Sequence, residues 1–169
     1  MDLEEAIRSR RTHKVYGSEP VDRETLAELL ELGRWAPNHH LTEPWRFRVL
    51  GPESLEALKE AAGPEDGAKL DRAPTLICAS QKVSGDSVER EEDLLAVGCA
   101  VYAVLLAAHA RGLVAYWRTP GTLRTPEGAR AVGIGADEHF VGLIHMGPPR
   151  QAQPPPERAE PDHYVTFLP

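Results

Sequence analysis

From Leu94 to Ala108 the chain reads LLAVGCAVYAVLLAA without a charge, preceded by the acidic run EREED and followed by ARG, which ends at Gly112. Acids in a first turn and glycine after the last turn bound a helix. Apolar on nearly every face, this helix is expected to be central and buried. Its small residues Ala96, Gly98, Ala100, Ala103 and Ala107 let another backbone approach closely, that of a sheet or of a second copy. The uncharged run is too short to span a bilayer, which takes about 20 apolar residues.

Elsewhere the apolar period changes with position. DLEEAIRSR reads as a short first helix, and VDRETLAELLELGRWAP as a second, with Asp22 at its N-cap and Leu26, Leu29 and Leu30 on its inner face. Pro37 ends it, because the residue before a proline is pushed out of the helical region. WRFRVLG alternates, with Trp45, Phe47 and Val49 on one side and Arg46 and Arg48 on the other, the pattern of a half-buried strand. SLEALKEAA predicts a third helix, APTLICAS an inner strand, LVAYWRT a strand, TPEGARAVGI a short helix and HFVGLIHMG another apolar strand. The expectation is α+β with a sheet of four or five strands. From Pro148 onward the chain is too rich in proline for a helix or central strand. Its last residues, YVTF, alternate like a strand, so the tail reads as an extended arm that reaches another surface, such as a partner subunit, and adds to its sheet.

Length bounds the organisation: 169 residues, 41% of them hydrophobic, suit one domain over 1–169, with 148–169 as its arm. A formal net charge of −7 sets up a field that repels nucleic acid and anionic membrane, so neither is expected as a partner. Cys78 and Cys99 both sit in apolar runs, where a thiol behaves as a small hydrophobe. They have no neighbours at metal-ligand spacing, and no metal is expected. MDLEEAIRSRR holds no apolar stretch of signal-peptide length, and the expected location is the reducing cytoplasm. No phosphate-loop or Gly-x-Gly-x-x-Gly signature is present, and no Ser-His-Asp or Cys-His arrangement stands out.

The candidate chemistry lies near the start, where IRSRRTHKVY gathers Arg8, Arg10, Arg11 and Lys14 in an acidic protein. One reading is that the cations complement the C-terminal end of the first helix, at about 0.3–1 kcal/mol each. The other is that Arg10, Arg11, Thr12 and Lys14 offer guanidinium forks, a hydroxyl and an ammonium to a phosphate and a ribityl chain. Clustering in an acidic chain favours the second. Among other polar residues, His109 reads as a C-terminal dipole partner and His145 as a hydrogen-bonded core histidine. Trp35, Trp45 and Trp117 read as core, although Trp117 beside Arg118 also suits stacking on an aromatic ring.

RSRRTHKVY, RWAPNHHLTEPWRFRVL, AYWRTPG and VGLIHMGPP, in that order and spacing, resemble the nitroreductase family of FMN-dependent NAD(P)H oxidoreductases, in particular its short members. The resemblance covers nearly the whole chain. It implies a central, mainly antiparallel sheet flanked by helices, and a homodimer with two FMN molecules at the interface, each touched by both chains. Arg10 and Thr12 would contact the phosphate and ribityl end, with Arg11 beside them, and Lys14 would lie near the pyrimidine edge of the ring. His39 would reach the flavin of the other subunit, Glu43 stands where related proteins present an amide, and Trp117, Arg118 and Thr119 would line the opposite side. Thr12 replaces the usual serine and keeps its hydroxyl. The chemistry implied is ping-pong: NAD(P)H gives hydride to flavin N5 and leaves, and a nitroaromatic or quinone then takes the electrons. Catalytic side chains are not implied, and Lys14 would tune the flavin. The alternative is a flavin or nucleotide binder that never oxidises NAD(P)H, which steady NAD(P)H consumption with a quinone distinguishes.

Overall fold

A computed structural model describes residues 1–154 and 156–169. Its sheet has four antiparallel strands in the order β1-β2-β4-β3, where β1 is Trp45–Val49, β2 Thr75–Lys82, β3 Val114–Arg118 and β4 Glu138–Gly147. The two strands without alternation, β2 and β4, take the middle. Their faces are both covered, so both sets of alternate residues are apolar. On one face Ile77, Ile144 and Met146 meet α2 (Arg23–Gly33) and α4 (Ser87–Ala110) through Leu26, Leu29, Val97, Val101 and Val104. On the other, Leu76, Cys78 and Leu143 meet residues of α3 (Pro52–Gly67) and α5 (Pro126–Ala131) together with Leu123 and Phe140.

The helices begin where their caps dictate. Asp2 accepts from the Glu5 N–H at the start of α1 (Leu3–Ser9), and Asp22 accepts from the Thr25 N–H at the start of α2, both at 2.8 Å. Asp86 and Glu89 form a capping box at the start of α4. α3 runs on beyond the predicted SLEALKEAA and is interrupted at Gly63, whose φ of 73° precedes Pro64. The five predicted helices and the four strands predicted before Pro148 are present, and the sheet has four strands.

Trp35, read as core, is 74% exposed, and three further expectations are corrected. The long apolar helix α4 is buried along one side only: Val88, Leu95 and Tyr102 are exposed, Leu95 by 67%, and Cys99 lies out with them. The sheet and α2 cover one side of the helix, α1 and the turn at His39–Leu41 touch it near its two ends, and the stripe of Val88, Leu95, Cys99 and Tyr102 stays exposed among the described residues. By length and composition α4 could also cross a membrane, with a mean hydropathy of 1.8 in its most apolar window, of which 44% is buried inside this fold. The second correction concerns β1, where Val49 is exposed because β1 is the sheet edge, while Trp45 and Phe47 pack on the α4 side. Arg48 does not face solvent: its fork holds Glu138 at 2.8 and 2.5 Å and its Nη1 reaches Ser80 at 2.9 Å. Burial alone would raise the Glu138 carboxyl, but Arg48 and Ser80 outweigh it and hold it below its usual range. Third, Cys99 does not behave as a buried hydrophobe; Cys78 does, and burial pushes its thiol up to about 12.

Beyond Pro148 the described residues form no strand with their own chain and have one short turn of helix at Pro161–His163. The arm is tied down near its root, where Tyr16 bridges Pro149 and the Gly17 N–H donates to the Pro148 carbonyl at 2.9 Å. Its end carries Tyr164, Phe167 and Leu168 into solvent.

Trp117 shows how tightly the α4 face is filled. Its indole N–H donates to the Val141 carbonyl at 3.3 Å, and its ring lies where Gly142 has no side chain: a Cβ there would stand 1.8 Å from Nε1. Gly142→Ala is therefore expected to lower unfolding stability by about 1–3 kcal/mol. Most of that loss should vanish in a Trp117→Leu background, as measured by urea denaturation. Equal losses in both backgrounds would mean that the indole is not the obstacle.

Candidate functional site

The cation cluster becomes extended because α1 stops. Arg10, its C-cap, has φ −60° and ψ 132°, which turns the chain alongside β3. There Thr12 bridges Ala115 in parallel and the His13 N–H donates to the Ala115 carbonyl at 3.2 Å. Lys14 Nζ consequently stands 5.6 Å from the centre of the Tyr116 ring. Alternation along β3 sends Tyr116 and Arg118 to this face and Trp117 to the α4 face. Lys14, Tyr16, Arg72, Tyr116, Arg118 and His145 thus line one narrow cleft. Among the described residues, none of Lys14, Arg72 and Arg118 is in an ion pair.

The histidines near these cations are kept neutral. His145 is 2% exposed, its Nε2 lacks a hydrogen-bond partner among the described residues, and burial, then Arg118 and Arg72, push it down to about 4. It is a core histidine, as expected, but not a hydrogen-bonded one at that nitrogen. His109 bonds Ser9 Oγ at 2.8 Å, and burial together with Arg10 lowers it, so it is not the charged dipole partner that its position at the end of α4 predicted. His13 is lowered by burial and by Arg11, His109 and Arg10. Arg10 is half-buried beside these two rings. Arg11 differs, because its Nη1 donates to the Pro154 carbonyl of the arm and its Nε is buried without a partner among the described residues.

A second group of candidates sits on the loop between α2 and β1. His40, Leu41 and Glu43 there have φ values of 52°, 51° and 46°. Left-handed backbone in non-glycine residues costs on the order of 1–3 kcal/mol each and persists only where the surroundings impose it. The surroundings here are specific. The Glu43 N–H donates to Asn38 Oδ1 at 2.9 Å, Thr42 Oγ1 donates to Asp93 Oδ1 at 2.5 Å, and His39 Nδ1 lies 2.7 Å from Glu92 Oε2. The rings of His39 and His40 stack 3.9 Å apart.

The candidates therefore fall into two groups. Lys14 shares a cleft with Arg118 and Thr12 pairs with Ala115 of the same strand, while Arg10 lies beside His13 and His109, Arg11 reaches the arm, and the exposed Thr119 directly follows β3. His39 and Glu43 do not join them: Glu92, which holds His39, and His109, beside Arg10, stand near opposite ends of α4, about 25 Å apart at 1.5 Å rise per residue. Sequence reasoning missed Asn38, Arg72 and Asp93. Asp93 had a signal, since it lies one turn before Val97 in the inner stripe that continues through Ala100 and Val104.

The family model described as "Nitroreductase family" matches residues 7–65 and 63–148. YdjA of Escherichia coli K12, assigned by name to the NAD(P)H nitroreductases, is 31% identical over 184 aligned positions, covering 99% of this chain and all of that protein. YfhC of Bacillus subtilis, with the same assignment, is 26% identical, covering 89% and 86% of the two chains. Among solved structures, a nitroreductase-like protein from Bacillus cereus matches with a TM-score of 0.89 at 23% identity, covering 99% of this chain and 96% of that one. A protein from Desulfovibrio desulfuricans, described as a nitroreductase and solved in complex with FMN, matches at 0.78 and 29%, covering 98% and 97%. The chain belongs to the nitroreductase family, and the α+β fold expected from its sequence is the family's fold.

Neutral buried histidines give the fold a pH dependence. His145 holds fewer protons folded than unfolded between its folded value near 4 and the ordinary 6.5. Stability is thus whole above that window and falls as pH falls through it, by at most about 1.4 kcal/mol per pH unit. His13 and His109 are lowered too and act in the same direction. Thermal midpoints should drop between about pH 7 and about pH 5, and less steeply in His145→Gln. Parallel slopes for the two proteins would remove His145 as a source.

Proposed function

We propose that the protein is an FMN-dependent oxidoreductase that takes electrons from NAD(P)H and passes them to nitroaromatic or quinone acceptors, working as a homodimer with a cofactor site at each end of its interface. One observation carries the reading: the two groups of candidates stand about 25 Å apart along α4, with an uncovered apolar stripe between them. Val88, Leu95, Cys99 and Tyr102 recur along that stripe at coiled-coil spacing. Two copies that pair α4 against α4 in antiparallel fashion bring the His39 end of one to the Arg10 end of the other. Each site is then closed by both chains. The names of the relatives support the reductant, and the FMN held by the Desulfovibrio protein supports the cofactor.

The residues present fit FMN. Lys14, Arg72 and Arg118 are cations without carboxylate partners among the described residues in a chain of net charge −7, and the buried histidine beneath them has an unpaired nitrogen. Arg10 and the Thr12 hydroxyl would hold the phosphate and ribityl end, and Arg11 would join them with whatever its fork retains beyond its bond to the arm. Lys14 and Arg118 would aim positive charge at the ring, where negative charge grows on reduction. The Trp117 indole is engaged on the α4 face, so Trp117 would meet the cofactor through its backbone and Thr119 through its hydroxyl. His39 and Glu43 would close the site from the second chain. When bound, FMN supplies two-electron transfer between NAD(P)H and the acceptor. The chain orients it and admits reductant and acceptor in turn at one open face.

Mixed dimers test the shared site. Arg10→Ala and His39→Ala should each depress flavin occupancy in their own homodimers, whereas a heterodimer of the two regains one intact site. Visible absorption per dimer that stays at the homodimer level would overturn the arrangement. A flavin-loaded wild type that fails to consume NAD(P)H when a quinone is added would leave a flavin binder in place of an oxidoreductase. Glu43 lacks the donor that an amide offers and adds a negative charge. Glu43→Gln should therefore raise the flavin midpoint potential in a potentiometric titration, and an unchanged or lower potential would detach Glu43 from the ring.

A further inference from the structure

Asp93 is the strangest residue of α4. It is 2% exposed, within the inner stripe that otherwise holds Ala96, Val97 and Ala100, and its Oδ2 has no hydrogen-bond partner among the described residues. A buried carboxylate with an unpaired oxygen does not serve stability, since an apolar side chain there would pack at no desolvation cost. Its other oxygen makes one bond, accepting from Thr42 Oγ1 at 2.5 Å. Thr42 stands between Leu41 and Glu43, in the stretch where three non-glycine residues are left-handed. Asn38 and Arg46 hold the loop at Glu43, Glu92 holds it at His39, and the Thr42 N–H donates to the His39 carbonyl within the loop itself; Asp93 is the residue of α4 that grips the middle from the core.

We propose that Asp93 is a positioning residue for the cofactor site: by anchoring Thr42 it holds the strained loop in the conformation that presents His39 and Glu43 outward to the opposing chain. The inference rests on the reading of the site as one shared between two chains. Without the anchor the left-handed residues are free to return to ordinary backbone, which removes the strain and moves both side chains. The unsatisfied carboxylate is the stability that the fold gives up for this placement.

FMN titration followed by flavin fluorescence tests the proposal, with hydrogen exchange over residues 38–44 measured on the same proteins. Thr42→Val should weaken FMN binding about tenfold and speed exchange in the loop, while Thr42→Ser restores both to within about twofold of wild type. Asp93→Ala and the double variant should weaken binding by the same factor as Thr42→Val, because residues that act through one bond do not add. Where Asp93→Ala fails to fold, the Thr42→Val and Thr42→Ser pair decides alone. Wild-type affinity in Thr42→Val, or losses that multiply in the double variant, would overturn the role of Asp93. A wild type that binds no FMN overturns the reading of the site instead, and unchanged loop exchange in Thr42→Val then overturns the anchor as well.

Discussion

The structure depends on a helix that is apolar all round and covered on only half of its surface. One side of α4 supplies the core over β2 and β4, through Val97, Val101 and Val104. The other side leaves Leu95, Cys99 and Tyr102 in solvent, a stripe that only another apolar surface can satisfy. Both candidate groups hang from its ends. Glu92 and Asp93 hold the loop of His39 and Glu43 at one end, and His109 meets Ser9 and the field of Arg10 at the other. A rigid helix therefore sets the distance between the two groups, the distance that the proposed pairing along it would cancel.

Electrostatics repeats the pattern of incomplete satisfaction. The chain is acidic overall, yet Lys14, Arg72 and Arg118 converge without carboxylate partners among the described residues. Where the fold needs a cation held structurally it provides the partner, as with Arg48 and Glu138. Beside the unmatched cations it places His145, which burial and then Arg118 and Arg72 keep neutral, so that positive charge is neither cancelled nor multiplied. Unmatched positive charge of this kind suits an anionic group, the role proposed for the cleft.

Backbone strain is concentrated in the same way. Three left-handed non-glycine residues fall within four positions, on the loop that carries two candidate residues, and side chains from α4 and from Asn38 hold them there. The remaining positive φ values belong to glycines. Strain that the sequence could have avoided is thus spent where side-chain direction matters most.

Much of this was legible from the residues. Asp22 fixed the start of α2, the uncharged run from Leu94 marked α4, and apolar runs marked β2 as an inner strand and β4 as a strand, because these features depend on local spacing and on burial. The order of RSRRTHK, NHHLTEPW and YWRTPG pointed to the family, since motif order survives where spacing-based readings are ambiguous. Which face each residue takes was decided only by tertiary structure. Strand pairing sent Trp117 away from Arg118, the sheet edge exposed Val49, and burial, with Arg10 beside His109 and with Arg11, His109 and Arg10 beside His13, lowered both rings. Asp93 was hidden among acids that read as a solvated first turn, until the position of Asp86 as the cap carried it around to the inside. Local sequence determines where elements begin and what they bury; the charge state and direction of a side chain depend on neighbours that only the folded chain brings together.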